Sequence, residues 1–147
     1  MAFVHYVVEQ ARERLVMMNE AADILDVARH LHAGTDMVVL HDGRNCLSGI
    51  LTKTDLVERL ARGEHLHTHA PVFTVMRREV VTCRESDDLR TLWSLMQERG
   101  LKNLPLVDGA DHPVGVLNAR DALECLLRET ENEEGLLRDY IMGFGYR

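Results

Sequence analysis

Apolar and polar positions follow two periods along this chain, and the order in which they switch predicts its elements. Residues 6–15 set Val7, Val8, Ala11 and Leu15 among charges, which predicts a short helix. Leu15, Val16, Met17 and Met18 form a brief apolar run suited to a strand. Over residues 20–33 the apolar positions are Ile24, Val27, Ala28 and Leu31, one face of a helix, and Gly34 can end it in a left-handed conformation. Residues 37–40 and 47–51 predict two strands joined by a turn at Asp42-Gly43. Asp55 opens a second helix with Leu56, Val57 and Leu60 on its inner side.

After Arg62 the composition turns polar. Residues 63–71, from Gly63 to Pro71, carry His65, His67 and His69 and read as a linker. The pattern then repeats. Val80, Val81, Thr82 and Cys83 answer the run at 15–18, and Leu89, Leu92, Trp93 and Met96 form the second helical face. Gly100 answers Gly34, residues 104–106 answer 38–40, and Asp108-Gly109 answers Asp42-Gly43. From Gly34 onward the offset is 66; before it the offset is 65, which one inserted residue in the first helix explains. The chain therefore divides into a copy at 7–62, a linker at 63–71, a copy at 72–128 and a tail at 129–147 predicted to be helical. Each copy is a strand, helix, strand, strand and helix, an α+β unit too small to bury both faces of its sheet alone. Two copies related by a pseudo-twofold axis, with matching clefts between them, solve that problem.

Within each copy one device recurs: Gly49-Ile50-Leu51-Thr52-Lys53-Thr54-Asp55 and Gly115-Val116-Leu117-Asn118-Ala119-Arg120-Asp121. The apolar pair ends a buried strand, Thr52 and Asn118 are N-cap residues, and the aspartates follow three positions later. Capping alone accounts for these residues, at about 1 kcal/mol each. A helix start also attracts phosphate, and the carboxylate beside it can accept hydrogen bonds from sugar hydroxyls. Lys53 and Arg120 lie in the first turn, where the helix dipole disfavours cations by a few tenths of a kcal/mol; a bound phosphate reverses that sign.

Composition narrows the function classes. The chain has 147 residues, 46% hydrophobic and 28% charged, the profile of a globular protein. No apolar run approaches a membrane span, and the N-terminus lacks a secretory pattern, so a cytoplasmic setting with no membrane partner is expected. Cys46, Cys83 and Cys125 are widely spaced without a C-x-x-C pair, as in reduced thiols. A net charge of −7 argues against binding a nucleic-acid backbone but permits a small anion held by local cations.

The two devices, together with Leu104-Pro105-Leu106-Val107-Asp108-Gly109 and the element order, make the chain resemble a tandem pair of CBS domains (the cystathionine-beta-synthase type), called a Bateman module. The likeness covers residues 7–127, and with its tail the chain is similar to stand-alone bacterial proteins of this type. It implies regulatory binding of an adenosine ligand (AMP, ADP, ATP, and in some members NAD, S-adenosylmethionine or cyclic dinucleotides) in the clefts between copies. It also implies a flat, disc-like homodimer and an unidentified regulated protein as partner. Carried over by position, Asp55 and Asp121 accept from ribose, Thr52 and Asn118 face phosphate, and Ile50 and Val116 line the base. Arg78, Glu79 and Val80 fall near the Asp55 site; Glu13, Arg14 and Leu15 fall near the Asp121 site; Lys102 takes a phosphate-contacting place. Departures are Asn118 where Ser or Thr is usual, Val39 opposite Pro105, His41 before Asp42, and a helix-like charged segment before residue 15. The two sites are therefore unequal.

Other residues carry blander readings. His65, His67 and His69 would share one side of an extended strand, as a transition-metal site requires, but such a linker is more often simply polar and no carboxylate or thiol spacing supports a metal. Trp93 at helical spacing reads as core, and Cys46 has no neighbour that would activate a thiolate. No P-loop, nucleophile elbow, His-Glu-x-x-His or dinucleotide fingerprint is present, so no catalysis and no required cofactor or metal are expected. The alternatives to nucleotide sensing are a ligandless dimerisation scaffold, suggested by apolar residues in the C-terminal tail, and a metal protein using the histidine-rich linker.

Overall fold

Each copy is built on a hairpin whose turn chemistry the sequence dictates twice. In the computed structural model, which describes residues 1–142 with side chains through Asn132 and at Glu134, β2 (Met37–His41) pairs antiparallel with β3 (Leu47–Thr52). In the second copy β4 (Asn103–Val107) pairs with β5 (Pro113–Asn118). Asp42 Oδ1 accepts from the N–H groups of Arg44 and Cys46; Asp108 Oδ1 accepts from those of Ala110 and His112. These donors hold both carboxyls below the usual carboxylate range. Asn45 and Asp111 both take positive φ in those turns. Each strand pair also slips at the same place, between Leu40 and His41 and between Leu106 and Val107. All of these pairs stand 66 residues apart.

Helices cover the hairpins. α2 (Ile24–His32) buries Ile24, Val27 and Leu31, and α4 (Leu89–Arg99) buries Leu89, Leu92 and Met96. Trp93 packs, partly buried, against the second copy's core. Gly100 ends α4 in the left-handed conformation, φ 66°, which a side chain would strain. α3 (Lys53–Ala61) and α5 (Ala119–Met142) leave the ends of β3 and β5. On α3, Leu56 packs inward, but Val57 and Leu60 are 61% and 58% exposed, against their expected inner placement. The apolar tail positions from Leu136 onward lie outside the described side chains.

The copies differ at their first strand. β1 (Met17–Asn19) runs parallel to β2, whereas residues 80–83 form a single bridge, Cys83 to Leu106. The cause is Pro105. In the first copy the Val39 N–H donates to the Val16 carbonyl at 2.9 Å; Pro105, 66 residues on, has no N–H to offer.

The segment before each copy's first strand packs on the other copy. Ala2, Val4, Val7, Val8 and Ala11, including α1 (Val8–Arg14), share a core with residues 83–126. Val72, Val75 and Met76 share a core with the first copy. The linker is structural as well: the carbonyls of Ala70 and Thr68 accept from the N–H groups of Ile24 and Leu25, satisfying the start of α2. The Ala2 carbonyl does the same for Leu89 at the start of α4. A third cluster of Met37, Val39, Ile50 and Val116, with Leu15, Leu47 and Val80 around it, joins the two sheets. Among the described residues, no helix is long and apolar enough to cross a membrane.

Candidate functional site

The two strand-to-helix devices end at one crevice. Thr52, Lys53 and Thr54 from the first and Asn118, Ala119 and Arg120 from the second line a cleft of about 750 Å3 between the copies. Ile50, Glu79, Val80 and Lys102 line it too. Its cations are Arg14, Lys53, Arg77, Lys102 and Arg120, against the acids Asp36 and Glu79, within a chain of net charge −7. Among the described residues, Lys53, Lys102 and Arg120 have no carboxylate within ion-pair distance. A cleft of this charge, with two helix starts on its wall, is suited to an anion.

A full capping box closes the first device: Thr52 Oγ1 accepts from the Asp55 N–H at 3.2 Å, and Asp55 Oδ2 accepts from the Thr52 N–H at 3.0 Å. The other oxygen of Asp55 accepts from Arg77 Nη2. Asp55 is only 7% exposed and lies behind Thr52 and Arg77, which form the cleft wall. In the second device Asn118 Oδ1 accepts from the Arg120 N–H, and its amide donates to Asn103 Oδ1, both at 2.9 Å. Asp121 pairs with Arg14 through two bonds, 2.5 and 3.1 Å, which hold the Arg14 guanidinium above its ordinary pKa. Each aspartate is thus latched by an arginine from the segment that opens the other copy. Two of about four acceptor positions on the Asp55 carboxylate are in use.

Some expected residues sit elsewhere. Arg78 is turned from the cleft, its guanidinium donating to the Phe73 carbonyl at 3.2 Å. Arg77 takes the place expected of it, because the backbone of Arg77 pairs with Ile50 and successive side chains of an extended segment face opposite ways. Leu15 packs at the sheet junction, and Val116 lines a smaller, neighbouring cleft of about 190 Å3 with Glu13, Arg14, Val16 and Asp36. Asp36 and Arg77 were not among the residues expected here; the offset of 66 that pairs Asp36 with Lys102 is the signal that could have found Asp36. In the linker, the Ala70 N–H donates to the His67 carbonyl, so the extended strand that would align three histidines is not formed. His69 Nδ1 lies 3.1 Å from Asp23, and the rings of His65 and His67 meet edge to face. Among the described residues, no group of three or more metal-binding side chains converges.

A family model described as the CBS domain matches this chain twice, at residues 8–62 and 72–128. Among curated proteins, homoserine O-acetyltransferase of Methanocorpusculum labreanum is 34% identical over 77 residues, 52% of this chain and 15% of that one. Inosine-5'-monophosphate dehydrogenase of Thermoplasma acidophilum is 30% identical over 120 residues, 76% of this chain and 23% of that one. The chain thus spans under a quarter of either relative. Among solved structures, the CBS domain pair of protein MJ0100, in complex with 5'-methylthioadenosine and S-adenosyl-L-methionine, matches with TM-score 0.70 at 19% identity, covering 85% of this chain and 99% of that one. CBSX2 in complex with AMP matches with TM-score 0.72 at 18% identity, covering 88% and 99%.

Proposed function

The chain belongs to the CBS-domain family, as a tandem pair, and from that premise we propose that it is a regulatory module sensing an adenine nucleotide. One observation carries the reading: a cleft of about 750 Å3 between the copies, walled by both helix starts and by more cations than acids. Structural neighbours bound to AMP or to S-adenosylmethionine support an adenosine ligand. In this reading Ile50 and Val80 take the base, the helix starts with Lys53 and Lys102 take phosphate, and Asp55 takes the sugar. Arg77 and Thr52 cover that carboxylate, so the sugar hydroxyls reach it only as the Arg77 guanidinium moves aside. Ligand therefore favours an arrangement in which the latch between the copies is released, which is differential affinity for one of two states. The module acts by this rearrangement, in the cytoplasm and without catalysis, through a homodimer or a regulated partner.

The test is a melting series with AMP, ADP, ATP, NAD and S-adenosylmethionine. A ligand at a hundred times its dissociation constant adds about 2.7 kcal/mol of stability. The shift should vanish in the Asp55→Ala, Asp121→Ala double variant. Silence from all five ligands sinks the proposal.

A second reading, a ligandless dimerisation scaffold, is favoured by a different observation. Val57 and Leu60 on α3, and Leu123 and Leu127 on α5, present apolar surface outward. A monomer in solution rules that reading out.

A further inference from the structure

The two clefts are pseudo-twofold mates with opposite charge. Gly34, Thr35, Asp36 and Met37 edge the smaller one as Gly100, Leu101, Lys102 and Asn103 edge the larger. Val116 lines the smaller as Ile50 lines the larger. Every one of these pairs is 66 residues apart, so Asp36 holds in one cleft the place that Lys102 holds in the other. The smaller cleft also has Glu13, and its single cation, Arg14, is already tied to Asp121 by two hydrogen bonds. Its volume is about 190 Å3, against about 750 Å3 for its mate. Sign and size point the same way.

Resting on the nucleotide reading above, we infer that the Asp36/Lys102 pair directs phosphorylated nucleosides to the larger cleft alone, one per chain, and turns the smaller cleft against phosphate. Asp36 lines both clefts, but only in the larger is its charge outweighed by cations unpaired among the described residues. Lys102 reaches the same crevice from the residue whose carbonyl accepts from the Ala119 N–H, at the very start of α5. A phosphate in the larger cleft thus meets Lys53, Lys102, Arg120 and both helix starts, which outweigh Asp36 and Glu79, whereas the smaller cleft sets Asp36 and Glu13 against one arginine that is already paired.

Titration calorimetry of the full chain with ATP and with adenosine tests this. Both side chains are exposed, so Lys102→Asp and Asp36→Lys leave the fold intact. ATP should bind the native chain once. Lys102→Asp should weaken ATP about tenfold, or 1.4 kcal/mol, while adenosine changes little. Asp36→Lys should raise the preference for ATP over adenosine. Two equal ATP sites, or an ATP preference unmoved by Lys102→Asp, overturns this inference and leaves the nucleotide reading standing. If neither ATP nor adenosine binds the native chain, both fall together.

Discussion

At Gly49 and Gly115 a side chain is missing because a crossing segment occupies its place. A Cβ at Gly49 would lie 2.8 Å from the Arg77 carbonyl oxygen, and one at Gly115 would lie 2.9 Å from the Ala11 carbonyl carbon. Gly115→Ala should cost about 1–3 kcal/mol in a urea titration, the range for overpacking a filled site. Gly43→Ala, with open space around it, serves as the control. Cys83 gives a pH prediction. Burial pushes its thiol from 9.0 up to about 12, so between those values the unfolded chain has released a proton that the folded one retains. Stability therefore falls as pH rises through that window, by at most about 1.4 kcal/mol per pH unit from this group. Urea midpoints of the native chain and of Cys83→Ala at pH 8 and pH 10 should show the smaller loss in the variant. Thr52→Ala removes one half of a capping box and should cost about 1 kcal/mol in the same assay.

Among the elements, the most consequential packing is the exchange of leading segments between copies. Val4 and Val7 are fully buried, the Val4 N–H donates to the Asp87 carbonyl, and Ala2 caps α4. Removing residues 1–7 should therefore speed hydrogen exchange in α4, β4 and β5, far along the chain, while β2 and β3 keep their protection. Equal loss in both copies would contradict this division of the core. The sequence could not announce that exchange, because periodicity marks which face of a segment is buried and says nothing of which neighbour buries it. What periodicity and turn residues do specify was legible: Asp42 and Asp108, Gly34 and Gly100, and both capping residues stand where their local chemistry requires. Arg77 was missed for Arg78 by one position, since the facing of an extended segment is set by its pairing with Ile50 and not by its own residues. Pro105 was visible, but its effect on the neighbouring strand depends on a hydrogen bond between residues far apart in sequence.

For the whole molecule, the outward faces of α3 and α5 are the surface that the proposed homodimer would cover. Val57 and Leu123 are pseudo-equivalents 66 residues apart, and both are exposed, at 61% and 37%. Leu60 lies three positions after Val57, and Leu127, 53% exposed, lies four after Leu123. Those spacings set each pair on one helix face. A symmetric dimer uses the same patch on both partners, and a pseudo-twofold module offers it two such patches from one chain. Reading Val57 and Leu60 as inward made sense of the helical period alone; their exposure instead leaves apolar surface for the proposed dimer to bury. Val57→Glu combined with Leu127→Glu should then halve the mass measured by light scattering, leave the circular dichroism spectrum unchanged and, because the cleft lies between copies within one chain, retain ATP binding. A native chain of monomeric mass at micromolar concentration would remove the dimer from the proposed mechanism and leave the latch at Asp55 and Arg77 to act on a different protein.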